Sequence, residues 1–136
     1  MDSFDAYSHA IASLALWGLI MIGLSMISTG GKVPKDRSES GLPKRDYSNQ
    51  AYRRHRAFQN AIETSPAFIA TTLAAILAGA QPLLVNIFAS AFVVSRLVMA
   101  YIHVWTENQP LRSAAFGFGW LAIIALGLTA LYAVFF

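Results

Sequence analysis

The sequence predicts an all-α integral membrane protein, a bundle of four transmembrane helices that forms a single domain over residues 1–136. Two observations carry this prediction. Hydrophobic residues make up 56% of the chain and charged residues only 12%, about half the charged fraction of an ordinary soluble domain. Four apolar runs, each about long enough to cross the ~30 Å of bilayer hydrocarbon, also fill most of the length: roughly 6–29, 58–80, 83–105 and 112–136.

The first run follows a segment, MDSFDAYSHA, that contains two aspartates and no lysine or arginine. A cleaved signal peptide begins with positive charge, so we expect residues 6–29 to be a true span. Thr29 and the two glycines after it are expected to end the helix.

A basic connection, roughly residues 30–53, comes next and leads into the second helix. Segments rich in lysine and arginine stay on the cytoplasmic side, which places this connection in the cytoplasm and both termini on the far side. The net charge of +3 therefore indicates topology, and no nucleic-acid partner is predicted. Eight of the ten basic residues lie here or just beyond: Lys32, Lys35, Arg37, Lys44, Arg45, Arg53, Arg54 and Arg56.

The second helix is expected to begin in the cytosol, with Asp46 or Ser48 as its cap. Further along it, Arg56, Asn60 and Glu63 lie at i, i+4 and i+7 and so share one face. Apolar sequence follows directly, and Glu63 is therefore predicted to lie inside the membrane. A charge costs about 2.5–3.5 kcal/mol near the bilayer centre, so such a residue usually faces the bundle interior and has a partner.

The third and fourth helices add further charges. Arg96 is expected at a depth similar to that of Glu63, and an ion pair between them is the least costly way to bury both. His103 lies two turns beyond Arg96 on the same face and is expected to line the same cavity. Arg112 is expected to open the fourth helix, where unpaired N–H groups together with Ser113 would form an anion site.

Structural roles for these residues stay open. An Arg96–Glu63 pair could serve only to lock two helices together, and Arg112 could reach lipid phosphates. The sequence contains no cysteine, so any thiol chemistry requires a thiol on the ligand. No metal site is predicted, because ligand spacing is lacking among the three histidines: His9, His55 and His103.

Together these side chains predict a cleft that opens to the cytosol and contains more cations than anions. Such a cleft suits a small polyanionic ligand, for example a peptide with two carboxylates, and its donors could lower the pKa of a ligand thiol. The mouth would be formed by Arg53 or Arg56, Asn60, Arg112 and Ser113, and the floor by Arg96 and Glu63.

The segment RAFQNAIE at residues 56–63, with Pro66 soon after, resembles the second-helix signature of the MAPEG family, the membrane-associated proteins in eicosanoid and glutathione metabolism. A second match is Arg96, followed sixteen positions later by Arg112 and Ser113. The four-span layout and the basic first connection also fit. The resemblance therefore covers essentially the whole chain.

This resemblance implies a homotrimer that binds glutathione, as a co-substrate, in clefts between subunits that open to the cytosol. Members conjugate glutathione to electrophilic lipids, reduce lipid hydroperoxides or isomerise endoperoxides. By the same resemblance, Arg112 and Ser113 would stabilise the bound thiolate. The residues expected to bind or support glutathione are Arg53, Arg56, Asn60, Glu63, Arg96 and His103.

Three positions depart from the family pattern. Gln59 stands where prostaglandin-synthase-like members have an arginine, His103 where a tyrosine is common, and Phe116 where a second tyrosine is common. The departures disfavour a specialised eicosanoid synthase. They favour a glutathione transferase or peroxidase that acts on hydrophobic electrophiles. The compactness of the chain and the spread of the family favour a bacterial inner membrane.

Two other functions stay open. In a non-enzymatic membrane scaffold, every buried charge would be structural. A small proton-coupled exporter also has four short spans and one intramembrane glutamate. Its glutamate must exchange a proton, however, and arginines near Glu63 would oppose protonation.

Overall fold

A computed structural model of the chain describes residues 4–30 and 33–136. Three residues used in the sequence predictions lie outside the described residues. They are Gly31 and two residues that contribute to the predicted topology signal, Asp2 and Lys32. The described part is all-helical, which confirms the predicted fold class. Its four α-helices are α1 Ser8–Thr29, α2 Gln50–Leu77, α3 Pro82–Trp105 and α4 Gln109–Phe135.

Three of the described helical segments are long and apolar enough to cross a membrane: Asp5–Thr29, Pro82–Trp105 and Gln109–Phe135, with mean hydropathies of 2.2, 2.0 and 2.1. They confirm that this is an integral membrane protein, in agreement with the predicted first, third and fourth spans. The predicted second span, residues 58–80, falls on α2. That helix is 28 residues long, but charged residues occupy its first half, and its crossing stays a prediction.

The start of α2 differs from the prediction. Asn49 caps the helix, and its Oδ1 accepts a hydrogen bond from the amide of Ala51 at 2.8 Å. Asp46 accepts hydrogen bonds from the hydroxyl and amide of Ser48, at 2.7 and 2.9 Å, which lower the pKa of its carboxyl. The predicted caps were wrong, because Asp46 and Ser48 form a local turn that ends just before the helix.

The fourth helix begins three residues before Arg112. Asn108 caps it by accepting a hydrogen bond from the amide of Leu111 at 3.0 Å, and Pro110 is in the first turn, where its missing N–H costs nothing. The amide of Arg112 donates to the carbonyl of Asn108 at 3.2 Å. The expectation that Arg112 opens the helix was therefore wrong, and its backbone N–H cannot bind an anion.

An aromatic cluster joins α1, α2 and α3. The rings of Phe68 and Phe92 are stacked with centroids 3.9 Å apart, and Trp17 meets them edge-on at 6.5 and 5.1 Å. The indole N–H of Trp17 donates to the hydroxyl of Ser65 at 2.8 Å. This bond satisfies the polar group of an otherwise apolar contact.

Arg96 on α3 is buried, with 1% of its surface exposed. Its Cζ lies 5.4 Å from the ring centroid of Phe92 and 4.7 Å from that of Phe116, and its Nη2 donates to the carbonyl of Phe116 at 2.8 Å. Nε and Nη1 have no hydrogen-bond partner among the described residues. The charge is therefore stabilised mainly by two aromatic faces and one carbonyl.

The expected Arg96–Glu63 ion pair was wrong. Glu63 lies 4.0 Å from Arg56 on its own helix, and 54% of its side chain is exposed. Arg96 points instead between α3 and α4 towards Phe116. Similar expected depth along two helices did not bring the side chains together, because Arg96 is buried between α3 and α4 whereas more than half of the Glu63 side chain is exposed.

Gly119 on α4 provides the space for the Arg96 guanidinium. A Cβ at this position would lie 2.6 Å from Nε and 2.7 Å from Cζ of Arg96, closer than van der Waals contact allows. A side chain at this position would therefore displace the guanidinium from its place between the two aromatic rings, and glycine leaves that space free.

We predict that Gly119→Ala lowers the stability of the bundle by about 1–3 kcal/mol, the usual cost of overpacking. Thermal unfolding in detergent, followed by circular dichroism, measures the change. Gly117→Ala is the matched control, because a Cβ there meets no atom within 4 Å and alanine favours the helix. Equal melting temperatures for the two variants would contradict the close packing at Gly119.

Candidate functional site

A cleft of about 330 Å³ lies between the polar half of α2 and the start of α4, a size at the lower end of small-molecule sites. The basic connection and α3 complete its walls. The side chains that line it are Tyr47, Arg56, Asn60, Glu63, His103, Arg112, Ser113 and Phe116.

The α2 wall is a row of polar side chains spaced by one helical turn. Arg56 Nη2 donates to Asn60 Oδ1 at 3.3 Å, and Asn60 Nδ2 lies 3.4 Å from Nδ1 of the buried His103. Arg56 Nη1 and Glu63 Oε1 form a long ion pair of 4.0 Å. The spacing that predicted a shared face therefore does bring these α2 residues together.

The opposite wall is formed by Arg112 and Ser113 on α4. The Cζ of Arg112 lies 4.8 Å from the ring centroid of Tyr47, a distance at which a cation and an aromatic face attract. The same tyrosine ring stacks on His103 with centroids 6.2 Å apart. Tyr47 thus connects the two walls, and the guanidinium of Arg112 and the hydroxyl of Ser113 line the cleft at this end.

The cleft carries more positive than negative charge, since Arg56 and Arg112 face a single carboxylate, that of Glu63. Such a site favours an anion and leaves one carboxylate to receive a cationic group. Within residues 4–30 and 33–136, no cluster of three or more histidine or acidic side chains could hold a metal ion.

Six of the eight residues predicted for the site line the cleft, and Arg53 and Arg96 do not. Arg53 donates to the carbonyls of Tyr47, Ser48 and Val104 at 2.7, 2.9 and 3.2 Å. It therefore holds the connection against α3 and positions Tyr47. Arg96 lies behind Phe116, whose carbonyl it binds.

Sequence reasoning did not find Tyr47. It lies outside the helices, so helical spacing gives no signal for it, and only its place just before the start of α2 could have suggested a role. Phe116 was noted only as a departure from a tyrosine, yet it contributes both to the cleft and to the Arg96 contact.

A second, apolar cavity of about 230 Å³ lies between α2 and α4 and shares Glu63 with the polar cleft, at a size below that of most drug-sized sites. The other side chains that line it are apolar or small: Thr64, Ala67, Trp120, Ile123 and Ile124. A polar cleft and an apolar cavity thus meet at one carboxylate.

The sequence pattern of the MAPEG family matches residues 6–132, which is nearly the whole chain and includes every residue that lines the cleft. The chain belongs to the MAPEG family. The resemblance inferred from the RAFQNAIE segment is thereby confirmed. MAPEG proteins are membrane proteins that include glutathione transferases and peroxidases. A search among curated proteins finds no significant match.

We predict that Arg53→Gln destabilises this MAPEG protein without any ligand present, by about 1.5–3 kcal/mol for each charged hydrogen bond that is lost. Its guanidinium donates to three carbonyls, which glutamine cannot reach together. Thermal unfolding and tryptic cleavage of the connection measure the effect. Arg45→Gln, at an exposed position of the same connection, is the control; an equally small effect in both variants would contradict a positioning role for Arg53.

Proposed function

We propose that this protein is a membrane-bound glutathione-dependent transferase or peroxidase that acts on hydrophobic electrophiles. One observation carries the proposal: two cationic residues, Arg56 and Arg112, line a cleft that shares Glu63 with an apolar cavity. A charged thiol peptide and an apolar substrate could therefore meet at one point. Membership of a family that includes glutathione transferases and peroxidases supports it.

Glutathione carries two carboxylates, one ammonium group and a thiol. In the proposed complex, Arg56 binds a carboxylate, Glu63 binds the ammonium group and Asn60 hydrogen-bonds to the peptide backbone. The half-exposed carboxylate of Glu63, only loosely paired at 4.0 Å, supports this role because it remains available to a ligand cation.

The thiol lies beside Arg112 and Ser113 in this proposal. The guanidinium favours the thiolate electrostatically, and the Ser113 hydroxyl donates a hydrogen bond to the sulfur. Since the chain has no cysteine, the nucleophile is the sulfur of glutathione. His103 and Phe116 offer no phenol at the positions where a tyrosine is common in the family, and we assign the activation to Arg112 and Ser113.

The electrophile is proposed to reach the sulfur from the apolar cavity. In the transferase reaction, the sulfur forms a bond to an electrophilic carbon, and the leaving group departs with the electron pair. In the peroxidase reaction, the thiolate attacks the terminal oxygen of a hydroperoxide, the O–O bond breaks, and the alkoxide takes a proton to become an alcohol. The sulfur keeps the terminal oxygen and its proton as a sulfenic acid. The thiol of a second glutathione then displaces this oxygen as water, and glutathione disulfide is formed.

We further propose a homotrimer in a bacterial inner membrane, with the basic connection in the cytoplasm and both termini on the far side. Arg56 and Glu63 are partly exposed on the protomer, at 32% and 54% of their side chains. Charges on a helix next to lipid are costly and usually face a protein interior. A neighbouring subunit would cover them and close the cleft.

Native mass spectrometry in mild detergent should therefore give the mass of three chains. Glu63→Leu removes the charge that needs cover, so a change in the proportion of trimers in this variant would indicate that the cleft lies at the subunit contact. Leu128→Ala, on the exposed side of α4, is the control and should leave the proportion of trimers unchanged. Monomers alone for the unchanged protein would contradict the trimer.

The thiolate role of Arg112 is tested by Arg112→Ala. A cation within about 4–6 Å lowers a pKa by about 1–3 units. Its removal should therefore raise the pH at which bound glutathione forms its thiolate, by a similar amount, and weaken binding much less. Ultraviolet difference absorbance follows the thiolate, and isothermal titration of glutathione measures binding.

Arg45→Ala removes an arginine from the exposed connection and should leave both measurements unchanged. An unshifted thiolate titration in Arg112→Ala would refute the role of this residue. Absence of glutathione binding by the unchanged protein would refute the proposed function itself.

A further inference from the structure

A groove of about 430 Å³, separate from the polar cleft and the apolar cavity, runs between α1 and α3. Its volume lies within the size range of ligand sites. It shares no lining residue with the polar cleft or with the apolar cavity that adjoins it. Leu24 and Ile27 of α1 face Leu97 and Val104 of α3 across it. Most of its length is thus apolar.

One end of the groove is amphipathic. Tyr101 and Trp105, 65% and 60% exposed, line it near the end of α3, and Arg54 lines it from the start of α2. Exposed tyrosine and tryptophan at the ends of apolar helices are typical of the membrane–water interface. The groove therefore leads from apolar depth to the end of the bundle that carries the basic connection.

The side chain of Arg54 is held at this end. Its Nη2 donates to Gln50 Oε1 at 3.1 Å, and its Nη1 lies 3.8 Å from the place a Cβ would take on Gly30, beside the end of α1. Nε is buried and has no hydrogen-bond partner among the described residues, and no ion pair of Arg54 occurs within residues 4–30 and 33–136. The groove thus ends at a cation with unused hydrogen-bonding capacity.

We propose that this groove binds an anionic phospholipid, with an acyl chain between Leu24 and Leu97 and the phosphate on Arg54. Charge complementarity selects this occupant, because a neutral apolar ligand or a protein helix would leave the guanidinium without an anion. Basic pockets between membrane helices, next to a basic connection, are typical of sites for anionic headgroups. The aliphatic stem of Arg54 can lie along the groove while its charged end remains at the headgroups. The site is independent of the proposed glutathione chemistry.

The test uses the full chain in phosphatidylcholine nanodiscs that contain increasing amounts of phosphatidylglycerol with brominated acyl chains. Bromine quenches nearby tryptophan, and Trp105 lines the groove. A Trp120→Phe background leaves Trp105 as the exposed tryptophan, because Trp17 is 1% exposed. The converse arm uses brominated phosphatidylcholine with unlabelled phosphatidylglycerol.

We expect phosphatidylglycerol to associate with the groove about fivefold more strongly than phosphatidylcholine, the effect of one cation beside an anionic headgroup. Arg54→Gln should reduce the preference to about one, whereas Arg54→Lys, which keeps the charge, should retain most of it. Arg45→Gln removes an equal charge from the exposed connection and should leave the preference unchanged. Circular dichroism verifies that each variant is folded.

Three results would overturn the proposal. Equal quenching by the two brominated lipids would show a groove that accepts any acyl chain. A preference that persists in Arg54→Gln, or falls equally in Arg45→Gln, would show general attraction to the basic connection. If neither brominated lipid quenches Trp105, the groove is covered by protein, such as a second copy of the chain.

Discussion

The burial of the Arg96 charge is the constraint on which the arrangement of α3 and α4 depends. A guanidinium away from water must be compensated, and here the compensation comes from the faces of Phe92 and Phe116 and one carbonyl. Gly119 allows that close approach. Because Phe116 also lines the polar cleft, the same contact fixes the position of α4 relative to the candidate site.

Arginines in this protein include some that hold the structure and some that line the polar cleft. Arg53 uses its donors on backbone carbonyls, and one of these belongs to Tyr47. Tyr47 in turn lies against Arg112 in the cleft. A buried arginine therefore positions a partly buried one through an aromatic ring, so the geometry of the cleft depends on a group that does not line it.

The residues that could be predicted for the site are those within one helix. Arg56, Asn60 and Glu63 follow from spacing alone, because an α-helix fixes which residues share a face. The partners of Arg96 and the role of Arg53 could not be predicted, and the expected Arg96–Glu63 pair was wrong, since the rotation of one helix against another decides which side chains meet. Tyr47 was missed for a related reason: its position depends on how the connection folds back over α3.

The sequence by itself determined the all-helical membrane fold, the limits of α1 and α3 to within a few residues, the basic connection and membership of the MAPEG family. These depend on composition, on apolar run length and on local motifs, all of which are properties of neighbouring residues. Only the tertiary structure decided that Arg96 lies between two aromatic rings, that Arg112 stacks on Tyr47 and that Arg54 closes a separate groove. Those contacts join residues far apart in the chain, and they depend on how four helices pack together.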